Sequence, residues 1–144
     1  MEIWKDIKNF EGLYQVSNLG RVKSLPRTIN KRKCKEIIKT ATLSNKGYYR
    51  LSLCKNGTTK YYAIHRLVAE AFVPNPNNFP IVNHKDTNRT NNNANNLEWC
   101  TYKYNSNYGN VRAKRLISKA ILYLDKEKNQ NIIEELENIK KKII

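Results

Sequence analysis

The chain has 144 residues, one domain's worth, and its 35 Leu, Ile, Val and Phe residues (about 24%) clear the roughly 20% below which a charged chain stays unfolded. Its 27 Lys and Arg against 12 Asp and Glu give a net charge of +15 and a pI near 9.8, a self-repelling balance that points to a polyanionic partner. No apolar run is long enough to span a membrane, the start MEIWKDIKNF carries charge where a signal peptide is apolar, and the scattered Cys34, Cys54 and Cys100 form no CxxC, so a reduced, cytoplasmic protein is expected.

Residues 2–25 are aromatic and alternating, and Tyr14–Ser17 and Arg21–Ser24 read as two short strands around the Asn18-Leu19-Gly20 turn. The stretch 26–46 is basic and aperiodic, which predicts an exposed loop or ribbon. Residues 47–53 and 58–62 alternate about Asn56-Gly57, a strong hairpin signal. Apolar residues at 64, 67, 68, 71 and 72 then predict two helical turns, stopped before Pro74. After a proline loop to Pro80, Ile81-Val82 and Leu97–Thr101 read as short strands on either side of a polar run, 83–96, that holds seven Asn. A basic helix is expected from Tyr102 to Leu116, and Ala120–Leu124 reads as a strand. The last predicted element is a helix capped by Asn131, with apolar positions 132, 136, 139 and 143 on one stripe. The tail from residue 113 carries only +3 and the chain shows no internal repeat.

Charge is uneven. Between Arg21 and Arg66 lie 13 basic residues and one acid, Glu36, which favours nucleic acid over a membrane surface because no Lys-rich amphipathic helix lies there. Tyr48, Tyr49, Tyr61 and Tyr62 interleave with the charges, so one face of a ribbon can pack while the other meets a groove, and Arg21, Lys23, Arg27 and Arg50 are candidates for base readout. Of the two histidines, His65 is read as a cap or core residue at a helix start. His84 ends a strand beside the Asn-rich loop, a position from which it can meet a ligand.

Asn83-His84, the later Asn96 and Asn105, and the stretches AIHRLVAEAFVPNP, VNHKDTNRTNN and NNLEWCT together resemble the HNH endonuclease family, close to its phage and intron-encoded homing type. IWKDIKNFEGLYQVSNLGRVKSL is similar to a small modular DNA-binding motif that precedes such nucleases. The resemblance implies an α+β fold: a ββα-metal nuclease core at 63–112, a basic β-rich DNA-binding region at 1–62 and a helical tail at 113–144 that binds DNA or dimerises. His84 then corresponds to the general base and Asn96 to the residue that ties down the loop and orients it. Asn105 corresponds to a helix-borne metal ligand, and Asn83 holds the position where many members carry a ligating Asp.

That chemistry suits these residue types. A neutral imidazole can take a proton from water near neutral pH, and hard oxygen ligands suit Mg²⁺ or Mn²⁺. With Asn at 83 the first ligands carry no anion, so the DNA phosphate would complete the site. Asp86, the nearest carboxylate, is read as closing the turn at 86–88, with a share in the metal site as its alternative. The other loop asparagines are read as turn formers, and Trp99 and Cys100 as core. Lys85, Arg89 and Lys103 flank the implied site and are candidates to clamp the scissile strand. The expected function is metal-dependent cleavage of double-stranded DNA, one strand per active site, by a monomer that nicks or a homodimer that cuts both strands. An inactive DNA-binding protein on the same fold, or an RNA-binding accessory protein, are the alternatives. High Asn, Lys and Ile content suits an AT-rich phage or mobile element, whose protein would act in the host cytosol.

Overall fold

A computed structural model describes residues 1–29, 31–124 and 129–143. In chain order the elements are β1 (Trp4–Asp6), β2 (Tyr14–Ser17), β3 (Val22–Ser24), β4 (Arg27–Ile29), β5 (Arg32–Cys34), β6 (Ile37–Ile38), β7 (Thr42–Leu43), β8 (Tyr49–Lys55) and β9 (Thr58–Ala63). There follow α1 (Ile64–Phe72), β10 (Ile81–His84), β11 (Leu97–Cys100), α2 (Tyr102–Ser106), α3 (Tyr108–Tyr123) and α4 (Gln130–Lys142). The chain falls into two compact units, Met1–Cys100 and Thr101–Ile144.

In the first unit, β1, β2, β3 and β6 form one antiparallel sheet and β7, β8 and β9 a second, while β4–β5 and β10–β11 are two-stranded ribbons. Asn56 and Gly57, both at positive φ (51° and 75°), make the tight turn that pairs Lys55 with Thr58. Tyr14 ties the two sheets together: its hydroxyl lies 3.3 Å from both the carbonyl and the amide of Cys54, and Phe10 meets Tyr14 and Tyr62 edge-on. Alternation buries Tyr14, Val16, Leu51 and Leu53, and the 3.6-residue period of α1 buries Ile64, Leu67 and Val68 against them. Val73 ends the helix in extended conformation, as the residue before Pro74 must. Its carbonyl accepts the Trp99 indole N–H at 3.1 Å, which fixes β11 beneath α1.

Residues on both sides of position 62 share this core: Ile7, Phe10, Val16 and Val22 lie in one cluster with Leu67, Val68, Val82 and Leu97.

The second unit is helical. The predicted helix over 102–116 is broken at Asn107 into α2 and α3, and the strand expected at Ala120–Leu124 is instead helix through Tyr123. A short apolar run does not distinguish strand from helix by period alone, and the helix-favouring residues 112–119 carry α3 through it. α4 packs on α3 and begins after Asn129 rather than Asn131.

Candidate active site

The β10–β11 ribbon pairs Asn83 with Glu98 and His84 with Leu97. Because successive strand residues face opposite ways, Asn83 and Glu98 share one face, whereas Val82 and His84 share the other with Leu97 and Trp99. On the first face Asn83 Nδ2 donates to Glu98 Oε1 at 2.8 Å. On the second, the buried His84 ring packs with His65 and Tyr48, its centroid 5.3 Å and 5.9 Å from theirs.

His84 Nε2 lies 3.5 Å from Asn92 Oδ1, at the outer limit of a hydrogen bond. The Asn92 amide is itself oriented, because its Nδ2 donates to the Thr90 carbonyl at 3.3 Å. Its oxygen therefore faces His84, and an oxygen that only accepts favours the tautomer with the proton on Nε2, leaving the Nδ1 lone pair unused. Burial lowers the His84 pKa, reinforced by the Arg89 charge and opposed by the Asn92 contact and the Asp86 charge. The imidazole is neutral at physiological pH, as a base must be.

Asn96 ties the polar loop at both ends. Its Oδ1 accepts from the Asp86 N–H at 3.1 Å, and its Nδ2 donates to Asp86 Oδ1 and to the Asn91 carbonyl, each at 2.9 Å. Asp86 closes the turn as expected: Oδ1 also accepts from the Asn88 N–H, and Oδ2 from Asn91 Nδ2. Although burial works against its charge, these bonds hold the Asp86 carboxyl below its ordinary pKa. Asn96 makes no hydrogen bond to His84 among the described residues. Asn92 does, and the sequence alone shows it only as one turn former among several, because nothing in a run of asparagines marks which one the fold turns inward. Glu98 carries no sequence signal of its own, although pairing 81–84 with 97–100 in antiparallel register is enough to place it opposite Asn83. His65, expected as a cap or core residue, is a core residue: the cap position is Ala63, and His65 Nδ1 is buried without a hydrogen-bond partner. Burial, then the neighbouring His84 and Arg66, pushes its pKa down to about 4.

The basic candidates divide by their partners. Both ends of the Arg21 guanidinium bond the Glu2 carboxylate, and Lys23 pairs with Glu36 at 3.1 Å while lying over the Trp4 ring. Arg27 donates to the Leu13 carbonyl and the Tyr14 hydroxyl at 2.9 and 3.1 Å, and Arg50 stacks on Tyr61. Lys85 donates to the Asn95 carbonyl, and Arg89 to the Lys46 carbonyl while stacking on Tyr48. Lys103 and Asn105 lie on α2 of the second unit. Lys31, Arg32, Lys33 and Lys35 are exposed on and beside the separate β4–β5 ribbon, within the basic stretch 26–46 expected to be an exposed loop or ribbon, though none of the four is among the candidate contacts.

Among the described residues no three His, Cys, Asp or Glu side chains cluster as a cage for a metal ion. Asn83 and Glu98 do meet, through the amide N–H, and each keeps an oxygen outside that bond; amide and carboxylate oxygens are hard groups of the kind Mg²⁺ and Mn²⁺ take.

Residues 2–54 match the NUMOD4 motif family and residues 62–107 the HNH endonuclease family. The chain is 40% identical over 137 residues to an uncharacterized HNH endonuclease of Acanthamoeba polyphaga mimivirus, covering 94% of this chain and 38% of that protein. It is 40% identical over 130 residues to the DNA endonuclease I-HmuI of Bacillus phage SP01, covering 90% of this chain and 70% of I-HmuI. A solved structure of DNA binding and cleavage by I-HmuI, an HNH homing endonuclease, matches with a TM-score of 0.58 at 35% identity over 92% of this chain and 66% of that one. The chain thus spans well under half of the mimivirus relative and about two thirds of the phage one.

Proposed function

The chain belongs to the HNH endonuclease family, and from that membership and the ribbon's geometry we propose that it is a homing-type endonuclease that hydrolyses phosphodiester bonds in double-stranded DNA with the help of one divalent cation. The observation that carries the reading is His84: buried, neutral, and held by Asn92 with Nδ1 available at the end of β10. There Nδ1 takes a proton from the attacking water as its oxygen bonds to phosphorus and the bond to the leaving sugar oxygen breaks. By the family pattern Asn83 and Asn105 would each offer an amide oxygen to the cation, Mg²⁺ or Mn²⁺. When bound, it supplies Lewis acidity to the phosphoryl oxygen and stabilises the departing alkoxide. Asn83 faces away from His84 across the ribbon, an arrangement suited to activating the nucleophile on one side of a phosphate and assisting the leaving group on the other. Asn96 and Asp86 keep the loop between them closed.

DNA is held by charge. The exposed Lys31, Arg32, Lys33 and Lys35 on the β4–β5 ribbon are the strongest groove contacts, because a two-stranded ribbon fits the major groove. Arg50, Lys85, Arg89 and Lys103 serve as phosphate contacts. Arg21, Lys23 and Arg27 fix the N-terminal fold first and add to the field second. One site cuts one strand, so a monomer nicks and a homodimer breaks the duplex.

The test is a supercoiled plasmid carrying candidate targets, incubated with Mg²⁺ or Mn²⁺. Wild type should convert it to open circle or linear product, and His84→Ala should slow this by about 10²–10⁴-fold with DNA retardation retained. Retardation without cleavage by wild type would instead mark an inactive binding protein on this fold.

A further inference from the structure

We propose that Glu98 is the positioning carboxylate of the cation site, orienting the Asn83 amide and supplying the negative charge that Asn83 lacks; this rests on Asn83 being a ligand. A carboxylate only accepts hydrogen bonds, so the 2.8 Å contact fixes which end of the Asn83 amide faces Glu98. Nδ2 is spent on Oε1, and Oδ1 is the end left for a cation. Among the described residues Oδ1 makes no hydrogen bond, and although Asn83 as a whole is buried, this oxygen is not among the fully covered unpaired atoms. A charge-assisted bond to the amide N–H shifts electron density toward Oδ1 and makes it a better donor to a cation. Glu98 also has acceptor capacity to spare, since one of its roughly four lone-pair sites is used. Asp86 cannot take this part, because both of its oxygens are committed to Asn88, Asn91 and Asn96.

The competing explanation is a cross-strand hydrogen bond that merely fastens the ribbon. Mn²⁺ affinity separates the two, read from the EPR signal of free Mn²⁺ over the full chain without DNA. Glu98→Gln is nearly isosteric and can still accept from Asn83, so the ribbon persists while the charge is lost. The expected result is about tenfold weaker Mn²⁺ binding. The exchange of Asn83→Asp together with Glu98→Gln moves the charge across the ribbon and keeps one donor and one acceptor, so affinity should return to within a few-fold of wild type. It also keeps the proposal testable if Glu98→Gln fails to fold. If Glu98→Gln binds like wild type while Asn83→Ala is weakened, Glu98 has no such role and Asn83 remains a ligand. If Asn83→Ala binds like wild type, Asn83 is not a ligand and the cation site falls as a whole. Wild type that takes up no Mn²⁺ at millimolar concentration overturns both. Weakening by Glu98→Gln without recovery in the exchange makes Glu98 a direct ligand and overturns its positioning role.

Discussion

The state of His84 is set by a short relay: the Thr90 carbonyl orients the Asn92 amide, and its oxygen in turn favours a proton on His84 Nε2. Because burial lowers the His84 pKa, the acid limb of kcat/KM should fall below the ordinary histidine value of about 6.5. Asn92→Asp keeps the acceptor but adds an anion that favours the imidazolium, so the limb should move up. A pH–rate profile of the two proteins that superimposes would show that Asn92 does not act on the base. His65 adds a stability effect of its own. Its folded pKa of about 4 lies below the unfolded value, so the unfolded chain takes up the proton first as pH drops. The neutral form's contribution is complete above about pH 6.5, is lost between there and about 4, and is then constant, a change on the order of 3 kcal/mol for this mostly buried ring. Urea unfolding across that window should show this slope in wild type and a shallower one in His65→Gln.

At the scale of elements, the turn between β2 and β3 buttresses the loop between β10 and β11. The Asn18 carbonyl accepts the Ala94 N–H at 2.8 Å, and a Cβ on Gly20 would sit 2.8 Å from the Cβ of Asn92 and 3.3 Å from its carbonyl oxygen. Gly20 also has a φ of +87°, so an alanine there meets both backbone strain and a neighbour that is the partner of His84. Gly12 is the matched control, at φ +71° with nothing within 4 Å. Gly12→Ala should cost about 1 kcal/mol from φ alone, and Gly20→Ala about 2–3 kcal/mol with a further loss of cleavage rate. Equal urea midpoints and equal rates in the two variants would remove the buttress. The turn itself was legible from Asn18-Leu19-Gly20, as were the Asn56-Gly57 hairpin and the end of α1 before Pro74, because local backbone chemistry decides each of them. What the turn docks against was not legible. Asn92 differs from its neighbours only through a tertiary contact, and Glu98 matters only once the ribbon's register is known. His84 and Asn96 were singled out by the family resemblance of their pattern, whereas the apolar run at 120–124 misled because its helix is set by the residues before it.

At the scale of the molecule, the two family matches are separate in sequence and joined in the core. Ile7, Phe10, Tyr14, Val16 and Val22 come from the N-terminal match, with Leu51 and Leu53 from β8, and all seven are buried in the cluster that holds Leu67, Val68, Val82 and Leu97. Each buried side chain of this size contributes about 1.5–3 kcal/mol, so together they rival the whole 5–15 kcal/mol by which a domain is stable. A fragment of residues 62–144 keeps every residue of the implied catalytic pattern and loses those seven. It also loses the turn that supports Asn92, and most of the +15 charge proposed to hold DNA lies before it. The fragment should therefore be unfolded through its HNH segment: amide resonances of residues 62–100 collapse toward random-coil shifts in a ¹H–¹⁵N correlation spectrum, and plasmid cleavage disappears. A well-dispersed spectrum from that fragment, with metal-dependent nicking intact, would show that the N-terminal motif is an appendage for finding DNA and that the nuclease holds its histidine without it.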